Sequence, residues 1–272
     1  LNNSASTLKG DSLYTQGNYF EASIEYERLI FQTQTVSDIN YLKYRKALCY
    51  KKINDFDQAL NELQSIYFSN PADSLYRLVC YEQSLCFYLN GEPARALWKI
   101  DEFFHRSADS ASFHFFLPIK ILCLNETFQW DEAKNSFLQL INMQNFSPEK
   151  KTELEQTVTN LYGKKNRPRI KSVKKAENLS RFFPGSGQIY AAGGSEGIIN
   201  FLINASVLTF TGCQIYNGFY ITGYLAGLGF FNKTYHGGIK RAGVLASEKN
   251  KELITNFNQK VNGVILSDFE LN

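Results

Sequence analysis

Residues able to do covalent or metal chemistry are sparse in this chain of 272 residues. Its three histidines, His105, His114 and His236, are scattered, and none stands in an HExxH frame or beside a cysteine in a recognisable spacing. The stretch PGSGQIY, Pro184 to Tyr190, is rich in glycine, but no GK[ST] follows it and it lacks the last glycine of a dinucleotide turn, so it is no phosphate cradle. Five cysteines, Cys49, Cys80, Cys86, Cys123 and Cys213, are an odd number without CxxC spacing, which argues against a disulfide framework or a zinc site. We expect no enzyme, no cofactor and no metal.

The cysteines point instead to a repeat. Cys49, Cys86 and Cys123 are evenly spaced, and so are Ala22, Ala59, Ala96 and Ala133, at the centres of GNYFEASIEYERLI, NDFDQALNELQSIY, GEPARALWKIDEFF and FQWDEAKNSFLQLI. The alanine spacing and the cysteine spacing are one and the same period. Aligned columns hold Leu13, Tyr50, Phe87 and Leu124 before the alanine, and Tyr26, Leu63, Ile100 and Phe137 after it. A further column holds Leu29, Ile66, Phe103 and Leu140. Gly17, Asn54, Gly91 and Phe128 occupy the turn column, three of them suited to a tight turn. This predicts helical hairpins in which a small residue lets two helices approach, each hairpin burying its apolar face only by stacking on the next. The cysteines then read as small packing residues.

The pattern resembles the tetratricopeptide repeat over roughly residues 4–145, with a longer period and most of the tryptophan-leucine-glycine opening lost. Pro71 stands where such repeats commonly end. The resemblance implies an all-α solenoid of about four helical hairpins, which Ser147, Pro148 and Gly163 would close with a capping helix. It also implies a partner-binding groove lined by the first helix of each repeat. Carried over by position, that groove holds Tyr14, Tyr41, Tyr44, Lys51, Tyr81, Leu85, Tyr88, Leu122 and Asn125. Tyrosines suit recognition, offering large area and a polar tip; the competing reading is that several pack between repeats. Asp11, Leu48, Leu85 and Leu122 stand where some members carry a carboxylate-clamping asparagine, so a chaperone-tail clamp is not expected.

Charge is unevenly placed. Residues 1–163 hold 15 Lys/Arg against 20 Asp/Glu, while residues 164–181 hold eight basic residues and one acid. In that block Lys164, Lys165, Arg167, Arg169, Lys171, Lys174 and Lys175 read as a basic linker. Nucleic acid would call for an aromatic-interleaved basic face, which is missing, whereas an apolar segment follows at once. An anionic lipid surface therefore fits better, at roughly 1 kcal/mol per basic residue, against the alternative of a solvated linker.

Between Glu196 and Lys233 no residue is charged. Gly197 to Tyr216 is long enough to cross ~30 Å of hydrocarbon, and the stretch after Gly218 is shorter, so it extends to His236 or spans incompletely. Gly223 and Gly227 form a GxxxG pattern for helix contact, and Asn200, Asn204, Thr209 and Gln214 should face a partner helix rather than lipid. The motif Pro184, Gly185, Gly187, Gln188, Tyr190 resembles membrane hairpins that open with PGxGxxY. That resemblance implies a two-helix transmembrane hairpin over residues 182–243. Residues 244–272 are a tail that reads as one more amphipathic helix, on the membrane or on the repeats. A soluble apolar helix pair is the rival.

The sequence begins at Leu1 rather than Met, which reads as either a removed signal peptide or a trimmed start, and it has no Cys at position 1 for a lipoprotein. The stretch DSLYTQGNYFEASIEYERLIF resembles the start of mature repeat proteins of Gram-negative envelopes, implying periplasmic repeats. Basic flanks on both sides of the hairpin argue for the alternative, an inner membrane with cytoplasmic repeats. The expected function is a membrane-anchored, non-catalytic scaffold docking a protein partner of an envelope complex for secretion or outer-membrane protein assembly. The alternative is a chaperone-like receptor for transiting clients.

Overall fold

The structure, a computed structural model, describes residues 2–68, 70, 73–107 and 112–269, with side chains from Lys9 onward. Pro71 lies outside the described residues. Among them helix is the regular structure that forms, and there is no strand. It divides into two compact units, 1–166 with 261–272, and 167–260. These boundaries differ from a simple succession of solenoid, linker, hairpin and tail.

The first unit is built from paired helices: α1 (Asn2–Thr15) with α2 (Tyr19–Gln32), α3 (Val36–Lys52) with α4 (Phe56–Gln64), α5 (Ser74–Leu89) with α6 (Pro93–Arg106), and α7 (Phe113–Glu126) with α8 (Trp130–Met143). The same turn joins each pair. Gly17, Asn54, Gly91 and Phe128 all adopt positive φ, at 83°, 61°, 76° and 63°. The following amide reaches back across the turn, Asn18 to Leu13, Asp55 to Tyr50, Glu92 to Phe87 and Gln129 to Leu124, at 2.8–2.9 Å. This left-handed residue satisfies carbonyls that the ending helix leaves open. The four column alanines are fully buried, as are Cys49, Cys86 and Cys123. A set of helical hairpins of this kind is compatible with a helical repeat solenoid.

Helix α9 (Pro148–Leu161) follows in register: Ser147 caps it through the Lys150 amide at 3.3 Å, and the buried Tyr162 hydroxyl donates to Asn125 Oδ1 at 3.1 Å. The partner that α9 would have in a fifth hairpin comes from the other end of the chain. Val261 and Ile265 are fully buried in this unit, and Phe269 packs on Phe137 and Phe146 with ring centres 6.2 and 5.3 Å apart. Lys150 pairs with Asp268 at 2.7 Å. The tail is thus helix, and its last turns are part of the core of the first unit.

The second unit comprises α10 (Val173–Phe182), α11 (Ser186–Ala192), α12 (Gly194–Tyr216), α13 (Tyr220–Thr222), a π-helical segment Gly223–Leu228, and most of α14 (Gly229–Asp268). The basic segment 164–181 is therefore only partly a linker, because its second half is α10, held by a Ser172 cap. Ala176, Ala191, Ala242, Leu245 and Ala246 make the core here, with Tyr190 against them. Such small side chains bring helix backbones close together.

Candidate functional site

The first helices of the pairs carry the residues expected in a groove. Tyr14, Lys51 and Tyr88 are half-buried, and Tyr41 is 41% exposed. Charges bind this face together. Arg45 pairs with Asp11 at 2.8 Å, and its guanidinium lies over the rings of Tyr14 and Tyr26 at 5.3 and 5.6 Å. Tyr26 donates to Asp11, and burial pushes its hydroxyl pKa well up. Tyr44 is also raised, to about 12, first by burial and then by Glu82. Both phenols stay protonated donors at neutral pH.

Three expected groove residues have other employment. Asn125 is fully buried, because its side chain faces Tyr162 of α9, and it offers a partner no surface. Lys51 meets Glu82 at 2.5 Å with both side chains largely covered, so its charge joins α3 to α5. Tyr81 packs edge-on against Phe116 at 5.7 Å. The accessible remainder is an aromatic face around Tyr14, Tyr41, Tyr44 and Tyr88. A cavity of about 320 Å³ lies beside α5, lined by Leu63, Ile66, Tyr76, Val79 and Gln83 among others. Its two cations, Lys99 and Arg106, both pair with Glu102 at 2.8 and 3.2 Å.

In the second unit PGSGQIY builds a helix junction. Gly185 has φ 92°, and a Cβ there would stand 2.1 Å from the Gly197 carbonyl oxygen. A Cβ on Gly187 would stand 1.9 Å from the Ala176 carbonyl oxygen. Ser180 Oγ accepts from the Gly187 amide at 3.2 Å, and the Tyr190 hydroxyl accepts from the Ser172 amide at 3.1 Å. Gln188 is buried. The motif thus seats α10 on α11 and turns the chain into α12. Lys171 and Lys175 lie over the Tyr190 ring at 4.9 and 5.2 Å. Arg169 and Lys174 are exposed in this unit; Lys164 and Lys165 are exposed in the first.

Helix α12 and the return limb pack antiparallel. A Cβ on Gly227 would stand 2.3 Å from Thr211 Oγ1, and one on Gly223 would stand 2.9 Å from Ile215 Cγ1. Thr234 donates to Asn204 Oδ1 at 2.9 Å, and Arg241 grips Glu196 with contacts of 2.9 and 3.1 Å. Asn204 and Thr211 face the return limb and are buried, whereas Thr209 points outward and bonds the Ala205 carbonyl. Among the described residues α12 is the one helix long and apolar enough to cross a membrane, with mean hydropathy 1.5 and only 11% of that stretch buried. The return limb does not meet that measure, so two spanning helices are not established by length. No protein-family model matches the chain, and no curated protein sequence matches it.

Proposed function

We propose that the protein is a non-catalytic, membrane-anchored scaffold of tetratricopeptide type. Its tyrosine-rich face docks a protein partner of a Gram-negative envelope complex serving secretion or outer-membrane protein assembly, with the repeats on the periplasmic side. The observation that carries this reading is the pairing of a hairpin-repeat unit with a helix whose apolar surface is left uncovered. Ile198, Ile199, Leu202, Leu208 and Phe210 of α12 are 45–57% exposed, far from the behaviour of a soluble core helix. Support for the repeat assignment comes from the recurring left-handed turn and the buried alanine column. Support for a docking face comes from its exposed aromatic surface and internally neutralised charges, which leave recognition to shape and hydroxyl donors.

Site-specific photo-crosslinking in native membranes tests this. A photoreactive side chain at Tyr41 should capture one defined partner. The same group at Trp98, 64% exposed on α6, should not. Capture of many unrelated polypeptides from position 41 would favour a client receptor, and equal capture from both positions would remove the docking face.

A further inference from the structure

The packing of the hairpin fixes how deep it can go. Ile215 meets Gly223, Thr211 meets Gly227, Asn204 meets Thr234, Asn200 meets Gly238 and Glu196 meets Arg241. That register sets Lys233 level with Ala205 and His236 level with Leu202. Lys233 and His236 are both exposed. A second element marks the same level independently. At the end of α10, Phe183 stacks on Phe201 with ring centres 5.0 Å apart, and the Arg181 carbonyl accepts from the Tyr235 hydroxyl at 2.7 Å. Arg181 is exposed and Phe182 is 90% exposed, the mixture of cation and aromatic that settles among lipid headgroups.

From this level to the tip at Tyr216 the helix measures about 17–21 Å, against ~30 Å for a full hydrocarbon core. A tip reaching the far headgroups would draw Arg181, Lys233 and His236 about 10 Å into the acyl chains, beyond what a snorkelling lysine recovers. The backbone amides of the tip need no water. The amides of Asn217, Gly218 and Phe219 bond back to carbonyls of α12, and Asn217 Nδ2 donates to the Cys213 carbonyl at 2.8 Å. Backbone donors satisfied in this way are tolerated in hydrocarbon.

We infer that the hairpin is a one-leaflet wedge, inserted from one face to about the bilayer midplane and not emerging on the other, with the Arg181–Phe183 end of α10 among the headgroups. The inference rests on the membrane reading above, and its test separates the two. Full-length C213S protein carrying N217C or H236C is added to preformed phosphatidylcholine–phosphatidylglycerol vesicles and recovered by flotation. Failure to float would overturn the membrane reading and the wedge with it. In floated protein the wedge requires the N217C thiol to react with impermeant maleimide neither from outside nor when the reagent is trapped in the lumen. A bimane at position 217 should be quenched most by a nitroxide near the acyl-chain end. The H236C thiol should react from outside. Labelling of N217C from the lumen would show a spanning hairpin, and labelling from outside a hairpin lying on the surface; either contradicts the wedge.

Discussion

Phe128 holds the backbone conformation that glycine adopts in the first and third pairs, with φ 63° against 83° and 76° for Gly17 and Gly91. A side chain in that region costs about 1–2 kcal/mol. Replacing Phe128 by Gly should therefore stabilise the repeat unit by about 1 kcal/mol, less whatever its contact with Trp130 contributes. Gly17→Ala and Gly91→Ala should each destabilise by about 1 kcal/mol. Both tryptophans, Trp98 and Trp130, lie in this unit, so urea unfolding followed by their fluorescence reads the difference directly. The thiols make a second residue-level prediction. Burial pushes Cys49 and Cys86 up to about 12 and raises Cys80 and Cys123 as well. These four should stay unmodified by N-ethylmaleimide at pH 7.5 in folded protein and react once it is denatured. The turn column was legible in the sequence where it holds Gly or Asn. Phe128 was legible only through the period, since nothing in phenylalanine's own preferences marks a left-handed turn.

Among the elements, the end of α14 was the least legible. An amphipathic stripe announces that a helix buries one face, but not which distant surface covers it, and the repeat's own period stops short of supplying a partner for α9. Truncation at Gly163 removes Val261, Ile265 and Phe269 from the first unit and should expose Phe137. Phe269→Ala alone should cost about 3 kcal/mol, measured by the same tryptophan unfolding. Lys150 holds the Asp268 carboxyl below its usual 3.8. A depressed carboxyl stabilises the folded state above its unfolded value and loses that contribution as pH falls through the folded one. Docking of the tail should thus weaken below about pH 4, and Asp268→Asn should flatten this dependence. PGSGQIY was legible as a turn into an apolar helix. That its glycines seat α10 against α11 was not, because close backbone approach is a property of two segments at once. Gly187→Ala, which sets a Cβ 1.9 Å from the Ala176 oxygen, should force those helices apart and speed hydrogen exchange in both.

At the scale of the whole molecule the proposed function joins a binding face to an anchor. The all-α class and the hairpin repeat follow from periodicity, and the apolar segment from the charge gap. The groove was only partly legible, because side chains at one column position meet different neighbours: Tyr88 stays half-exposed while Asn125 is sealed by α9. Anchoring matters physically because confinement at a membrane raises the effective concentration of a weakly binding face for a membrane-bound partner, by factors of roughly 10²–10⁴ in linked systems. The most direct test compares partner crosslinking from position 41 in the full-length chain with that in a Leu202→Asp, Leu208→Asp variant, whose new charges lie on the exposed face of α12. The variant should leave the membrane fraction, keep its tryptophan unfolding transition and lose crosslinking at least about tenfold. Undiminished crosslinking by a folded, soluble variant would contradict a docking face that depends on its anchor.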